Sequence, residues 1–101
     1  MNLELKITRE TENRLMTILK NINDQEIFAQ NIIAYQISEL KKSILSIRLD
    51  IRAYEDKYKM SSEKFYSRFG QGNLGDEEDF VIWAGLYEML HENMRKLKEL
   101  E

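Results

Sequence analysis

Apolar and polar residues alternate at the start of the chain. The segment NLELKIT, residues 2–8, places Leu3, Leu5 and Ile7 on one side and polar residues on the other. This period of two is typical of a half-buried strand, although so short a segment also fits the frayed start of a helix. Residues 9–22 then carry apolar residues at helical spacing, which predicts a short amphipathic helix.

A heptad pattern follows and is the strongest signal in the sequence. Between Gln25 and Tyr58 the chain contains neither proline nor glycine, which predicts one continuous helix of about 34 residues. Asn23, with Glu26 three residues later, is predicted to cap its start. Such a helix cannot bury its own apolar stripe, so we expect a dimer, in parallel or antiparallel orientation, along this seam: Ile33, Ile37, Leu40, Ile44, Ile47 and Ile51.

A second helix with apolar residues at spacings of three and four is predicted from Asp76 to Leu100, and it is expected to fold back antiparallel on the long helix. Between the two helices lies a stretch with three of the four glycines, where Ser61 or Ser62 can cap a short helix. The four acids at positions 76–79 lie at the start of this helix, where the helix dipole stabilises negative charge. Two other roles stay open: a contact with a basic partner and, less favoured, the binding of a divalent cation.

The fold expected from these patterns is all-α, with or without one short N-terminal strand, built on a long central helix and an antiparallel C-terminal helix. The arrangement is coiled-coil-like and dimeric. We divide the chain into residues 1–45, a dimerisation or DNA-binding part, and residues 46–101, a helical hairpin that binds a partner.

Composition narrows the function. The net charge of −3 argues against broad, non-specific binding of nucleic acid, and the absence of cysteine excludes disulfides and thiolate metal sites. No stretch is long and apolar enough to span a membrane, and the N-terminus lacks the apolar core of a signal peptide, so we expect a cytoplasmic protein. His91 is the one histidine and no nucleophile pairs with a base, so we expect no enzyme, no catalytic residue, no metal and no cofactor.

Aromatic residues crowd the region between residues 54 and 90. Aromatics at helical spacing usually form a core, but they are also enriched at protein interfaces and carry much of their binding energy. Both interpretations stay open from the sequence. We take the following as candidate partner-binding residues: Phe65, Phe69, Asp79, Phe80, Trp83 and Tyr87.

The N-terminal half resembles the ribbon-helix-helix family in its order of strand, helix, turn and helix. In that family two chains pair their strands and lay the ribbon in the major groove of DNA. The resemblance implies that Asn2, Lys6 and Thr8 face the bases, where Lys6 pairs with guanine and Asn2 with adenine. Glu4 disagrees, since it would lie against a polyanion, and residues 1–50 carry as many acidic as basic side chains.

The segment RAYEDKYKMSSEKFYSRFGQGNLGDEEDFVIWAGLYEML resembles small prokaryotic antitoxin-like proteins, mainly archaeal and cyanobacterial. There a long helix ends in a YExKYxMSxEEFxxRF stretch, followed by a glycine and acidic turn and a DFxxW helix. Lys64 stands where an acid is usual. The matching positions are Tyr54, Glu55, Lys57, Tyr58, Met60, Ser61, Glu63, Phe65, Arg68, Phe69, Gly72, Leu74, Gly75, Asp76, Asp79, Phe80 and Trp83.

This second resemblance implies a regulatory protein that neutralises a cognate toxin, whose gene lies beside its own, and that binds its own operator DNA as a dimer. The alternative is a structural coiled-coil module that oligomerises without toxin or DNA. A third hypothesis is a free-standing repressor that needs Lys6 and Thr8 for DNA.

Overall fold

The computed structural model describes residues 3–101, which are mostly helical. These residues form four helices: α1 (Arg9–Lys20), α2 (Gln25–Tyr58), α3 (Ser62–Gly70) and α4 (Glu78–Leu100). No strand is present within the described range, so the predicted all-α class is confirmed. The bounds of α2 are those that its unbroken apolar pattern predicts.

The chain divides into two compact units, residues 1–33 and residues 34–101, and the division falls within α2. The functional division that we placed between residues 45 and 46 stays a prediction.

The first unit has no buried residue among residues 3–33. Residues 3–8 lie outside the helices and form no strand, because a strand needs a neighbour to share its backbone hydrogen bonds. Asn2 lies outside the described residues. Leu3 is 81% exposed and Leu5 59%, while Leu15 and Leu19 of α1 are half-buried. This unit therefore has amphipathic segments but no core of its own.

The helix caps of the first unit differ in detail from the sequence prediction. Helix α1 ends at Lys20, two residues early, and α2 is capped by Asp24, whose Oδ1 accepts the Ile27 amide hydrogen bond at 3.2 Å. The prediction of Asn23 as the cap is therefore wrong. Asn and Asp are equally good capping residues, and the sequence places them side by side.

The second unit is built on the packing of α4 antiparallel to α2, as predicted. Asn93 of α4 donates a hydrogen bond to Ser43 of α2 across 2.9 Å and fixes the register of the two helices. The core consists of six buried apolar residues, Ile47, Ile51, Phe65, Trp83, Ala84 and Leu90.

This packing corrects the predicted dimer seam. Ile47 and Ile51 are 5% and 4% exposed because α3 and α4 of the same chain cover them, so they are not available to a second copy. Ile44 packs against the same core and is half-buried. Of the remaining seam residues, Ile37 and Leu40 are half-buried and Ile33 is 45% exposed.

Helices α2 and α3 both end in a turn that contains a residue with positive φ. At the end of α2, the Met60 amide donates to the Glu55 carbonyl and Lys59 has a φ of 54°, which is the geometry of a Schellman motif. The end of α3 repeats this geometry with Gly72 at a φ of 75°. Glycine is the usual residue at that position, so Lys59 carries a conformational cost that Gly72 does not.

Helices α3 and α4 begin differently. Ser61 caps α3, since its Oγ accepts from the Lys64 amide at 3.2 Å, and this decides between the two serines. Helix α4 begins at Glu78, two residues later than predicted, and its capping residue Glu77 makes no side-chain hydrogen bond to the helix.

Candidate partner-binding site

The aromatic residues singled out by the sequence meet around Trp83. The Trp83 indole lies parallel to the Phe65 ring, with 3.8 Å between ring centroids and an interplanar angle of 3°. Tyr54 and Tyr58 of α2 stack on the indole at 5.8 and 5.9 Å, and Phe80 packs against Tyr58 and Phe65. The cluster therefore joins α2, α3 and α4.

A chain of hydrogen bonds satisfies the polar atoms within this cluster. The Trp83 Nε1 donates to Ser62 Oγ at 2.9 Å, and the backbone N and Oγ of Ser62 both donate to Glu55 Oε2 at 2.8 Å. The sequence pattern does not predict the pairing of Ser62 with Glu55. The signal was the double serine: once Ser61 caps α3, Ser62 faces inward and needs an acceptor.

Asp79 connects the start of α4 to the end of α2. Its Oδ2 accepts from Lys57 Nζ at 2.7 Å and from the Tyr58 hydroxyl at 2.6 Å. The hydrogen bonds from Lys57 and Tyr58 hold the pKa of Asp79 below its ordinary value, and the Asp79 carboxylate raises the pKa of both donors. Asp79 thus has a structural explanation, and its role in partner binding stays a prediction.

Tyr87 belongs to a smaller ring group on the side of α3 and α4. It packs against Tyr66 at 4.8 Å and edge-on against His91 at 4.5 Å. The Tyr66 hydroxyl donates to Glu88 Oε1 at 2.6 Å, and this bond raises the pKa of Tyr66. These residues, together with Glu92 and Arg95, line an open depression of about 420 Å³.

Burial changes the list of candidate contact residues. Phe65 and Trp83 are 0% exposed, so in this conformation neither touches a partner, and their assignment as direct contacts is corrected. Phe69, Phe80 and Tyr87 are half-buried and keep a surface that a partner can reach. The aromatic cluster is the core that holds the tip of the hairpin together.

A different set of apolar side chains is exposed on α4. Val81, Ile82 and Met89 are 51%, 43% and 54% exposed, and they surround Gly85. These residues are absent from the sequence-based prediction, because the apolar repeat of this helix consists of the residues that pack in or near the core. Their signal was apolar character at positions that a solvated helix face fills with polar residues.

The structure describes two of the three candidate DNA-binding residues, Lys6 and Thr8. Thr8 caps α1, its Oγ1 accepting from the Thr11 amide at 3.2 Å, so this side chain already has a structural task. Lys6 is exposed and makes no ion pair within residues 3–101. Asn2 lies outside the described residues.

Comparison with known proteins finds no matching family model, no matching curated protein and no matching solved structure. Within residues 3–101 no helix has both the length and the apolar character to cross a membrane.

Proposed function

We propose that this chain is a cytoplasmic, antitoxin-like regulatory protein that neutralises a cognate toxin and pairs with a second copy of itself. The proposal rests on one observation in the first unit. Its apolar residues between positions 3 and 33 all remain at least partly exposed. A segment with amphipathic pattern and no core gains stability by covering its apolar face with another chain. Binding, rather than chemistry, is the role that this arrangement supports.

The antitoxin-like motif supports the toxin-neutralising part of the proposal. Its residues Tyr54, Glu55, Phe65, Phe80 and Trp83 are in one cluster, joined by ring contacts and by the hydrogen bonds through Ser62. The motif therefore specifies a rigid hairpin tip rather than a set of unrelated positions. A rigid tip presents its remaining exposed side chains in a fixed arrangement, which lowers the entropic cost of binding.

The alternating N-terminal segment, residues 3–7, supports pairing with a second copy. In an antiparallel pair centred on Leu5, Leu3 of one chain lies opposite Ile7 of the other, and Glu4 lies opposite Lys6. Both ion pairs form by symmetry, and all three apolar positions share one face. A register centred on Glu4 or Lys6 would instead oppose like charges.

The same pairing limits the drive toward DNA. Each Lys6 has a Glu4 carboxylate opposite it, so the polar face of the paired segments carries little net positive charge. Operator binding is accordingly the secondary part of the proposal. It predicts that Lys6→Ala weakens operator binding severalfold in a salt-dependent assay, while Glu4→Gln strengthens it.

The proposal is tested by co-expressing the chain with the small protein encoded by the adjacent gene. We expect a stable complex on size-exclusion chromatography, and we expect growth arrest by the adjacent gene alone to be relieved by this chain. Leu5→Lys should convert the free protein from dimer to monomer without loss of the second unit. An adjacent gene product that neither arrests growth nor binds the chain contradicts the antitoxin function.

The second candidate function is a structural coiled-coil module. It is favoured by a stripe on the outer face of α2, where Tyr35, Leu45 and Leu49 are 61%, 61% and 62% exposed. If that stripe is an assembly seam, Leu45→Lys dissociates the oligomer and Leu5→Lys does not. The antitoxin proposal expects the reverse.

A further inference from the structure

Helix α4 has an exposed apolar face on the side away from the core. Its members recur at spacings of three and four residues, which places them on one side of the helix: Val81, Ile82, Gly85 and Met89. The three side chains among them are exposed, whereas Trp83 on the opposite side is buried. We call these four residues the outer face of α4.

Gly85 leaves a gap at the centre of the outer face. A Cβ atom placed on Gly85 would meet no other atom within 4 Å, so packing within this unit does not require a glycine. Within a helix glycine is also less stable than alanine, because its unfolded backbone has more freedom to lose. Since it has no side chain, Gly85 lets a large side chain of a second molecule approach the backbone of α4.

One charge lies beyond each end of the outer face. Glu78 lies seven residues before Gly85, and Lys96 lies seven residues after Met89. The spacing of eighteen residues between Glu78 and Lys96 equals five helical turns, so both lie on the side of α4 that carries the outer face. Both side chains are exposed, and neither makes an ion pair within residues 3–101.

These positions form a symmetric pattern along α4. They follow one another at spacings of seven, four and seven residues: Glu78, Gly85, Met89 and Lys96. An antiparallel pair of identical helices centred on the midpoint of this pattern exchanges its two ends, so Glu78 of each copy lies opposite Lys96 of the other. The same register places Met89 of each copy against Gly85 of the other, where the side chain fills the gap.

The remaining charges of α4 are compatible with this register. Glu92 and Glu99 each accept a hydrogen bond of 2.6 Å from Arg95 of their own helix, so these carboxylates are already neutralised. Residues 76–77 are both acidic and precede the helix. They add negative charge at the end that Lys96 of the second copy approaches.

We infer that the outer face of α4 is a self-association surface, on which a second copy of the chain packs antiparallel with Met89 over Gly85 and Glu78 against Lys96. The face supplies its own complement in shape and in charge, which is what a two-fold contact requires. The inference goes beyond the proposed function, since it adds a second pairing surface to the N-terminal segment and involves no toxin. A chain with two self-pairing surfaces joins pairs into larger assemblies as its concentration rises.

The contact is expected to be weak. It uses one face of one helix, which is less surface than the roughly 1,200 Å² that a stable interface buries. We therefore expect a dissociation constant of about 0.1–1 mM.

The test uses the full chain carrying Leu5→Lys, which removes the N-terminal pairing and is expected to be monomeric in the micromolar range. Raising its concentration to about 1 mM should shift the amide NMR signals of Val81, Gly85 and Met89. Sedimentation equilibrium over the same range should show a dimer and gives the dissociation constant.

Two further variants in this background test the packing. Met89→Lys and Gly85→Leu should each raise the dissociation constant about tenfold or more. Gly85→Leu should do so while it stabilises the helix, since leucine is a better helix former than glycine, so a loss of structure does not explain the effect. Leu49→Lys is the matched control at an exposed position of α2, and it should leave the constant unchanged.

An exchange of charges tests the antiparallel register. In the same background, Glu78→Lys and Lys96→Glu should each weaken the pairing about threefold to tenfold, because like charges then meet at both ends. A mixture of the two variants should pair as tightly as the parent chain, since each lysine then meets a glutamate of the other copy. Loss of helix in either variant would not produce this recovery.

Several results overturn the inference. These are no association up to about 1 mM, shifts confined to other residues, or a mixture that pairs no better than either charge variant alone. An equal loss in Leu49→Lys assigns the contact to the exposed stripe of α2 and overturns it as well. A Leu5→Lys chain that still pairs in the micromolar range contradicts the N-terminal pairing of the proposed function, and the α4 variants then decide this contact in the same way.

Discussion

The indole of Trp83 stacks face to face on the ring of Phe65, with 3.8 Å between centroids and neither side chain exposed to solvent. This contact fixes α3 against α4 at the centre of the second unit. Because both rings are fully buried, replacing either one is expected to lower the stability of the fold, and any effect on partner binding would follow from that.

Trp83→Ala should therefore lower the free energy of unfolding by about 3–5 kcal/mol, through lost burial and the cavity that remains. Urea unfolding followed by circular dichroism measures the change. Val81→Ala is the control on the same helix, and it should change the stability by less than about 0.5 kcal/mol, since Val81 is exposed. A change of equal size in both variants would contradict the enclosed position of Trp83.

Ser62→Ala removes the acceptor of the Trp83 indole N–H and one donor to Glu55. The buried N–H is then left without a partner, so we expect a loss of about 1–3 kcal/mol in the free energy of unfolding. Ser67→Ala is the control, since Ser67 lies on the same helix and is exposed. If Ser62→Ala is no more destabilising than Ser67→Ala, the hydrogen-bond chain does not contribute to stability.

Asp79 should make stability depend on acid pH. Its hydrogen bonds from Lys57 and Tyr58 place its pKa in the folded chain below the ordinary value of 3.8. The contribution is therefore fully present above pH 3.8 and is lost as the pH falls through the folded pKa. Unfolding measured across this range should show a steeper acid loss in the wild type than in Asp79→Asn, and parallel profiles would contradict the contact.

At alkaline pH the same contact makes the stability fall as the pH rises, which is opposite to its effect at acid pH. Lys57 and Tyr58 have folded pKa values above their ordinary 10.5 and 10.0, because both donate to Asp79. Their contribution is present below those values and is lost as the pH rises through the raised ones. Asp79→Asn should reduce this alkaline loss too, which a non-specific effect of acid would not produce.

Lys59→Gly should stabilise the chain. Lys59 has a φ of 54°, a conformation that costs a residue with a side chain about 1 kcal/mol and that glycine adopts freely. We expect a gain of that size in the free energy of unfolding, measured in urea. Gly72→Lys is the reciprocal test, since Gly72 holds the equivalent position after α3, and it should destabilise by a similar amount.

Gly85→Ala should also stabilise the free protein, by about 0.5–1 kcal/mol, because the position is within α4 and has room for a methyl group. Thermal unfolding measures the gain. A loss of stability would mean that Gly85 is required by the fold itself.

The sequence predicts the helices of this chain better than it predicts what covers them. The bounds of α2 follow from an apolar repeat that neither proline nor glycine interrupts, and so they could be read directly. The repeat cannot tell whether its cover comes from the same chain or from another. For this reason the pattern assigns Ile47 and Ile51 to a dimer, whereas α3 and α4 of the same chain bury them.

Local competition explains the smaller errors. Asn23 and Asp24 are neighbouring residues of equal capping strength, and only the path of the backbone selects Asp24. Aromatic residues such as Phe65 and Trp83 are common both in interfaces and in cores. Which of the two they form depends on tertiary packing, which the spacing of residues along the sequence does not determine. The exposed residues Val81 and Met89 were overlooked because the core repeat on α4 already accounted for that helix.

The burial of Trp83 also gives the chain an internal optical reporter. It is the one tryptophan in the sequence, and it lies in the second unit with no exposed surface. Its fluorescence therefore reports the melting of residues 34–101 alone, whereas circular dichroism reports every helix. A difference in midpoint between the two unfolding curves shows that residues 3–33 unfold separately from the second unit. This difference should disappear when a second molecule binds and covers residues 3–33.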